Sequence, residues 1–266
     1  TRDAWRPPWT LGRKYTPTRF KRTVAVSCRP GDVRVTVLRM VARAIAFLTM
    51  SPSQSHPDWR LPQGVTHSLW EYAQADHIAD DYDDYFAYNS LFEFDAALLA
   101  RHFNKPGVLI DLGCGTGRLL VPFARKGFPC VAVDLSRPML EVVGRKADAE
   151  RLPIDRVLTN FVQLDGLRDG TADYVICMFS TLGMVRGRAN RAIVLRHVAR
   201  LLKPDGLFVL HLHNRWYNLF DAQGRGWLVG NALRSLRGIE ESGDKVFDYR
   251  GIPNMFLHVF TRGEML

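Results

Sequence analysis

The chain has 266 residues, 47% of them apolar and 24% charged, ordinary for a soluble globular protein and ample for one large domain or two small ones with a buried core. Its net charge of +9 sits in residues 1–50, which hold 11 Lys and Arg against Asp3 and Asp32 and leave 25 bases and 25 acids elsewhere. A basic arm on a neutral body implies no nucleic-acid-binding face on the folded part.

Residues 1–66 read as a basic extension. WRPPWTLGRKYTPTRFKR shows neither helical nor strand period, and the one apolar piece, VRVTVLRMVARAIAFLTM at 33–50, is interrupted by Arg34, Arg39 and Arg43. It falls short of the roughly 20 apolar residues that span a membrane, so no span is expected. A non-native or over-extended start, a disordered basic tail, and a targeting or interfacial amphipathic helix all stay open for this part. Four cysteines, Cys28, Cys114, Cys130 and Cys177, stand far apart with no CxxC pair. They read as buried thiols in a reducing cytosol, and a cytoplasmic location is expected.

Residues 67–103 read as one or two amphipathic helices, with Leu69, Tyr72, Ile78, Tyr82, Phe86, Leu91, Phe94 and Leu98 near helical spacing. The acids Asp76, Asp80, Asp81, Asp83 and Asp84 read as a solvated helix face; the glycine turn of an oxygen-ligand metal site is missing, and no metal is expected. Strand and helix then alternate. VLIDL (108–112) reads as a strand buried on both faces, 117–126 as a helix, CVAVDL (130–135) as a strand, and Pro138 opens a helix to about Ala149. FVQLD (161–165) and ADYVICMF (172–179) read as strands, 189–202 as a helix closed by Lys203, Pro204 and Gly206, and GLFVLHLHN (206–214) as a strand. The pattern predicts an α/β fold with a doubly wound, mostly parallel sheet and helices on both faces.

The stretch VLIDLGCGTGRLL places Asp111 before Gly113, Gly115 and Gly117, where the first strand of such a sheet turns into a helix and ligands bind. A dinucleotide loop needs GxGxxG, and both frames meet a non-glycine, Arg118 or Leu120, at the third position; a P-loop lacks its Gly-Lys-Ser/Thr. The pattern that does stand here, (D/E)xGxGxG after a first strand, resembles that of the class I S-adenosylmethionine-dependent methyltransferases, over about residues 75–215.

The resemblance implies a Rossmann-like methyltransferase fold and S-adenosylmethionine as cofactor, held by Asp111, Gly113, Cys114, Gly115 and Gly117. It puts Asp134 on the ribose hydroxyls, with Leu135 and Ser136 beside it. Asp165 would end the third strand on the adenine amino group, flanked by Leu164 and Gly166, and Phe179 would line the pocket. For the acceptor, Ser180 and Thr181 end the fourth strand, Tyr82 and Tyr85 stand ready to close the pocket, and Asn214 and Arg215 follow the fifth strand. His213, Asn214, Arg215 and Tyr217 are the candidate catalytic residues, although His211 and His213 share one strand face and read more readily as structural.

The segment after the fifth strand, 216–260, reads as a helical lid and a hairpin, KVFDY (245–249) and MFLHVF (255–260) about a Gly-Ile-Pro-Asn turn. Either the hairpin supplies the family's last two strands, or it is a substrate-side insertion in a chain cut short. The second is favoured, because the capping box Thr261–Glu264 opens a helix with only two further residues. The fifth strand would then be a bare edge. The expected function is methyl transfer to an oxygen or nitrogen of a small molecule. A non-catalytic cofactor-binding sensor or partner subunit is the alternative, with RNA methylation behind it. No DNA is expected, since FSTLGMV stands where amino-group methyltransferases of DNA carry Asn/Asp-Pro-Pro-Tyr.

Overall fold

The computed structural model describes residues 60–265 except 88, and the backbone of residues 23–28. The rest of the expected basic extension lies outside the described residues.

Six parallel strands form one sheet: β1 (Thr23–Cys28), β2 (Leu109–Leu112), β3 (Cys130–Asp134), β4 (Ile154–Leu158), β5 (Ala172–Cys177) and β6 (Leu202–His213), in the order β1-β6-β5-β2-β3-β4. The chain builds outward from β2 through β3 to β4, then crosses back to lay β5 on the other side of β2. Strand order therefore reverses between β2 and β5, which opens a crevice at their carboxyl ends.

The period-two alternation of the strands feeds two cores. On one face Ile110, Leu112, Val133, Val175, Cys177, Leu210 and Leu212 meet Val194, Val198 and Leu201 of α7 (Arg188–Leu201). On the other, Leu109, Cys130, Ala132, Tyr174, Ile176 and Val209 meet α4 (Ser90–His102), α5 (Leu120–Ala124) and α6 (Arg137–Glu150). Helix α6 starts where expected, with Ser136 Oγ accepting from Met139 N and Pro138 in the first turn, where its missing N–H costs nothing.

Several expectations are corrected. Residues 161–165 form no strand; they are loop, with Phe161, Val162 and Leu164 plugged into the core. The third strand in the series is β4, seven residues earlier, whose IDRVL lacks an apolar run because it is an edge strand half-open on both faces. The apolar run that looked like a strand is apolar because the loop is buried. The helical region breaks into α1 (His67–Gln74), α2 (Asp76–Asp80), α3 (Tyr82–Tyr85) and α4. The edge of β6 is not bare: β1 pairs with it in parallel, from Thr23 opposite Phe208 to Cys28 opposite His213.

The hairpin, β7 (Asp244–Tyr249) and β8 (Ile252–His258), is a separate antiparallel pair, so it does not supply the last strands of the main sheet. Its turn falls at Arg250–Gly251, both at positive φ, ahead of the expected Gly-Ile-Pro-Asn. Between β6 and β7 lie a 3-10 segment (Arg215–Phe220) and α8 (Ala222–Leu236). The Thr261–Glu264 capping box forms as expected, around a single 3-10 turn (Arg262–Glu264).

Candidate functional site

Strands β2, β3, β4 and β5 each carry or lead into a residue of the crevice. Asp111, on β2, is buried. Burial first, and the nearby Asp134 carboxylate second, push it up to about 8. The glycine loop turns directly after it. Gly113 has φ +81°, and a Cβ there would stand 2.3 Å from Thr181 Cγ2; Gly115, at φ +53°, faces the Tyr82 ring. Only glycine fits that corner.

Asp134 closes β3 and holds the loop in place. Its Oδ2 accepts from Gly115 N at 2.9 Å and its Oδ1 from Ser136 N at 2.8 Å. Burial raises its pKa, and the N–H groups of Ser136, Gly115 and Leu135 partly offset that rise. A buried carboxylate beside a half-buried one at adjacent strand ends is costly unless a cation or several donors meet them.

At the end of β4 come Asn160 and Phe161. Asn160 Nδ2 donates to Gln63 O at 2.7 Å and its Oδ1 accepts from Val162 N at 3.3 Å. This bond, with Arg186 N donating to Gly64 O at 2.8 Å, fastens residues 60–66 to the body, so Gly64 and Val65 also line the crevice. At the end of β5, Phe179 and Ser180 both adopt left-handed backbone, at φ 54° and 61°, an uncommon state for residues with side chains. It is held by Ser180 N donating to His211 O at 2.8 Å and by Ser180 Oγ accepting from His213 N at 3.1 Å. The corner places Phe179 in the crevice, stacked on Phe92 with centroids 5.1 Å apart.

Leu69, Tyr72 and Ala73 of α1 and Tyr82 of α3 form the roof of the crevice, whose cavity volume is about 120 Å³. Burial raises the hydroxyl pKa of Tyr72 and of Tyr82, with further contributions that include the Asp134 charge. One acid fastens this roof to the glycine loop: Asp83 Oδ1 accepts from Thr116 Oγ1 at 2.6 Å and its Oδ2 from Lys146 Nζ at 2.6 Å, while Lys146 also donates to Thr116 O at 2.8 Å. Arg118 lies 4.1 Å over the Phe92 ring. Of the acidic run read as a solvated face, Asp76, Asp80, Asp81 and Asp84 are exposed as expected; Asp83 is the half-buried exception, and Asp81 pairs with Arg250 from the surface.

Of the residues expected at the site, Asp111, Gly113, Cys114, Gly115, Asp134, Leu135, Ser136, Phe179, Tyr82 and Thr181 line the crevice. Gly117 sits behind it against Val121 and Val143. Leu164 is in the core, and Asp165 and Gly166 are exposed away from the crevice, because the third strand ends at Leu158 and Asn160 and Phe161 take their place. Ser180 is a buried brace, and Tyr85 is exposed beneath the Arg250 guanidinium at 4.4 Å.

None of His213, Asn214, Arg215 and Tyr217 lines it. Desolvation, then His211 and Lys245, push His213 down to about 4, so it is neutral near pH 7. Its neighbour His211 is fully buried with Nδ1 2.9 Å from Asp95 Oδ2 of α4, which fits the structural role expected of the pair. Asn214 caps the 3-10 segment through Trp216 N, Arg215 bonds Asn231 and Ser242, and Tyr217 packs on Phe220. Leu69, Tyr72, Phe92, Arg118, Asn160 and Phe161 were not singled out as site residues. No local sequence pattern marks any of them as a site residue.

A parallel, doubly wound sheet with a glycine corner and buried acids at its switch point defines a Rossmann-like nucleotide-binding domain. A family model described as a methyltransferase domain matches residues 109–206. The ubiquinone biosynthesis O-methyltransferase of Caulobacter vibrioides is 31% identical over 126 residues, 47% of this chain and 48% of that protein. The dTDP-3-amino-3,6-dideoxy-alpha-D-glucopyranose N,N-dimethyltransferase of Streptomyces fradiae is 32% identical over 115 residues, 43% of each.

The 1,6-didemethyltoxoflavin-N1-methyltransferase of Burkholderia thailandensis, solved with 1,6-didemethyltoxoflavin and S-adenosylhomocysteine, shares the fold at a TM-score of 0.53, with 19% identity over 77% of each chain. The chain spans about half the length of the curated relatives it matches. Its residues 109–206 are a methyltransferase domain, and the fold is that of the class I S-adenosylmethionine-dependent methyltransferases.

Proposed function

We propose that the protein moves the methyl group of S-adenosylmethionine to an oxygen or nitrogen of a small molecule. One observation carries this: a buried Asp111 and a half-buried Asp134 stand on either side of a glycine corner that leaves backbone bare. That donor set suits a ligand with a cationic amino group and a ribose and without phosphates. Two carboxylate oxygens on Asp134 match two ribose hydroxyls, each oxygen keeping a lone pair beyond its backbone donor. Asp111 would face the ammonium, and Leu135, Asn160 and Phe161 would frame the base.

When bound, S-adenosylmethionine supplies an electrophilic methyl with a neutral thioether as leaving group. The residues present would align and dry the acceptor: Phe92, Phe179, Met178, Met184 and Leu69 give the crevice apolar walls, and Tyr82 roofs the loop. No proton-accepting role is assigned to His213, which is neutral but weakly basic. The small-molecule acceptor is supported by the relatives named above, and a cytoplasmic setting by three buried free thiols, Cys114, Cys130 and Cys177.

The test is incubation with methyl-labelled S-adenosylmethionine and a fractionated metabolite extract, beside calorimetry with S-adenosylmethionine and with NAD. Label in small-molecule products and heat only with S-adenosylmethionine are expected. Binding without label transfer would replace the enzyme with a sensor or partner subunit, and saturation by NAD would end the proposal.

A further inference from the structure

Outside the crevice, four ionisable side chains converge at the base of the hairpin. Glu241 and Asp244 stand at the two ends of a tight turn, His258 ends β8, and Glu264 comes from the last 3-10 turn. The turn is fixed from within: Asp244 N donates to Glu241 O and Glu241 N to Asp244 Oδ2, both at 3.1 Å, and Gly243 N donates to the fully buried Asn231 Oδ1 at 2.8 Å. Gly243 has φ +114°, and a Cβ there would stand 3.0 Å from His258 Cε1, so glycine lets the turn close on the ring. His258 is 1% exposed. Its Nδ1 lies 2.8 Å from Asp244 Oδ1 and its Nε2 3.2 Å from Glu264 Oε1. A neutral imidazole has one N–H and one lone pair. One of these contacts therefore sets a lone pair against a carboxylate oxygen, unless a second proton or a metal ion lies between them.

We propose that Glu241, Asp244 and His258 Nδ1 hold a divalent transition-metal ion, zinc by preference. The three side chains each offer a ligand atom within 4.8 Å of the other two. One imidazole nitrogen with carboxylate oxygens is a zinc donor set, whereas oxygens alone suit magnesium or calcium. An ion about 2.0–2.1 Å from both Nδ1 and Asp244 Oδ1 would see the 2.8 Å between them at about 85°. That is the angle of a pair of neighbouring ligands, with positions left for Glu241 and water. Glu264 completes the arrangement from the far side of the ring. A carboxylate on Nε2 keeps the proton there and leaves the Nδ1 lone pair to the ion, as behind other metal-bound imidazoles.

The charges agree. Glu241, Asp244 and Glu264 bring three negative charges, and Arg191 pairs with the first; a dication offsets the other two and leaves the buried ring neutral. Glu241 Oε2 meets the Arg191 guanidinium and its Oε1 accepts from Arg188 N at 2.7 Å, so each oxygen keeps a second lone pair. Ser242 is exposed and Glu241 half-buried, which gives an ion entry from solvent. The ion would act as a brace, tying the turn after α8 to β8. A Cβ on Gly183 would stand 2.5 Å from His258 O, so β8 directly backs the 3-10 turn Thr181–Met184, whose Thr181 and Met184 line the crevice. The site stands apart from the proposed methyl transfer and does not depend on it.

The test is calorimetric titration of the full chain, stripped with a chelator, with zinc chloride and separately with magnesium chloride, beside melting curves in each. Zinc should bind and raise the melting temperature by several degrees, and magnesium should do neither. Glu264→Gln, which keeps the cap on Thr261, should bind zinc about tenfold more weakly at the same stoichiometry. Glu241→Gln changes a side chain that is 37% exposed; it should bind more weakly still, and zinc should no longer raise its melting temperature. A stripped chain that takes up no zinc overturns the proposal and leaves a doubly protonated His258 between its two carboxylates. Unchanged zinc affinity in both variants overturns it by moving the ion to other side chains, and equal affinity for magnesium overturns the imidazole ligand.

Discussion

Asp111 offers the sharpest test of the site, because its carboxyl is pushed from an ordinary 3.8 up to about 8. Without ligand, about one-tenth of the molecules carry the carboxylate at pH 7 and about one-hundredth at pH 6. If the ionised form faces the ligand's ammonium, binding must expel a proton, and apparent affinity scales with that fraction. Affinity for S-adenosylhomocysteine, which carries the ammonium and undergoes no reaction, should fall about tenfold from pH 7 to pH 6. Calorimetry in two buffers of unlike ionisation enthalpy should find close to one proton released per site.

Asp111→Asn should bind more weakly than the wild type at pH 8, with the gap closing toward pH 6. Stability moves the opposite way. A carboxyl whose folded pKa is raised binds its proton more tightly in the folded chain, so the ligand-free wild type loses stability as pH rises from about 4 toward 8. The variant lacks that loss and should melt higher at pH 8, with little difference near pH 4. Wild-type affinity flat across this window, proton uptake in place of release, or a pH dependence that survives in Asp111→Asn would refute the reasoning.

Gly113→Ala introduces a Cβ at φ +81° and 2.3 Å from Thr181 Cγ2; denaturant melts should show a loss of about 2–4 kcal/mol, with Thr181→Ala in the same chain restoring only the steric part. Asp83→Asn breaks a roof clasp whose Lys146 and Asp83 side chains are 30% and 44% exposed, so the melting cost should stay below about 1 kcal/mol. Stopped-flow release of S-adenosylhomocysteine should nevertheless quicken several-fold, and an unchanged release rate would remove the clasp from the binding pathway. Asp95→Ala leaves the fully buried His211 without its carboxylate and should cost about 3 kcal/mol in equilibrium unfolding.

What could be seen in the amino acids alone follows from how local each signal is. The glycine corner, Asp134 and the Ser136–Pro138 helix start were legible because each needs only its neighbours: a bare backbone, an acid at a strand end, a cap. Strand β4 was not, because an edge strand open on both faces sheds the apolar run by which a buried strand is known. The neighbouring loop acquired that run by plugging the core with Phe161, Val162 and Leu164. A single misplaced strand moved the expected lining from Asn160 and Phe161, which border the crevice, to Leu164, Asp165 and Gly166, which do not.

The roof was opaque for a different reason. Tyr82 faces Gly115, and Asp83 reaches the glycine loop through Thr116 and Lys146, all more than thirty positions along, and no helical period records which acid of a run of five finds a lysine. The ends of β2 and β3 can be read from sequence because both strands are buried in the middle of the sheet. What closes over them is set by long-range contacts, and in this chain those contacts run through the anchoring acids Asp81 and Asp83 and the Arg250 turn of the hairpin.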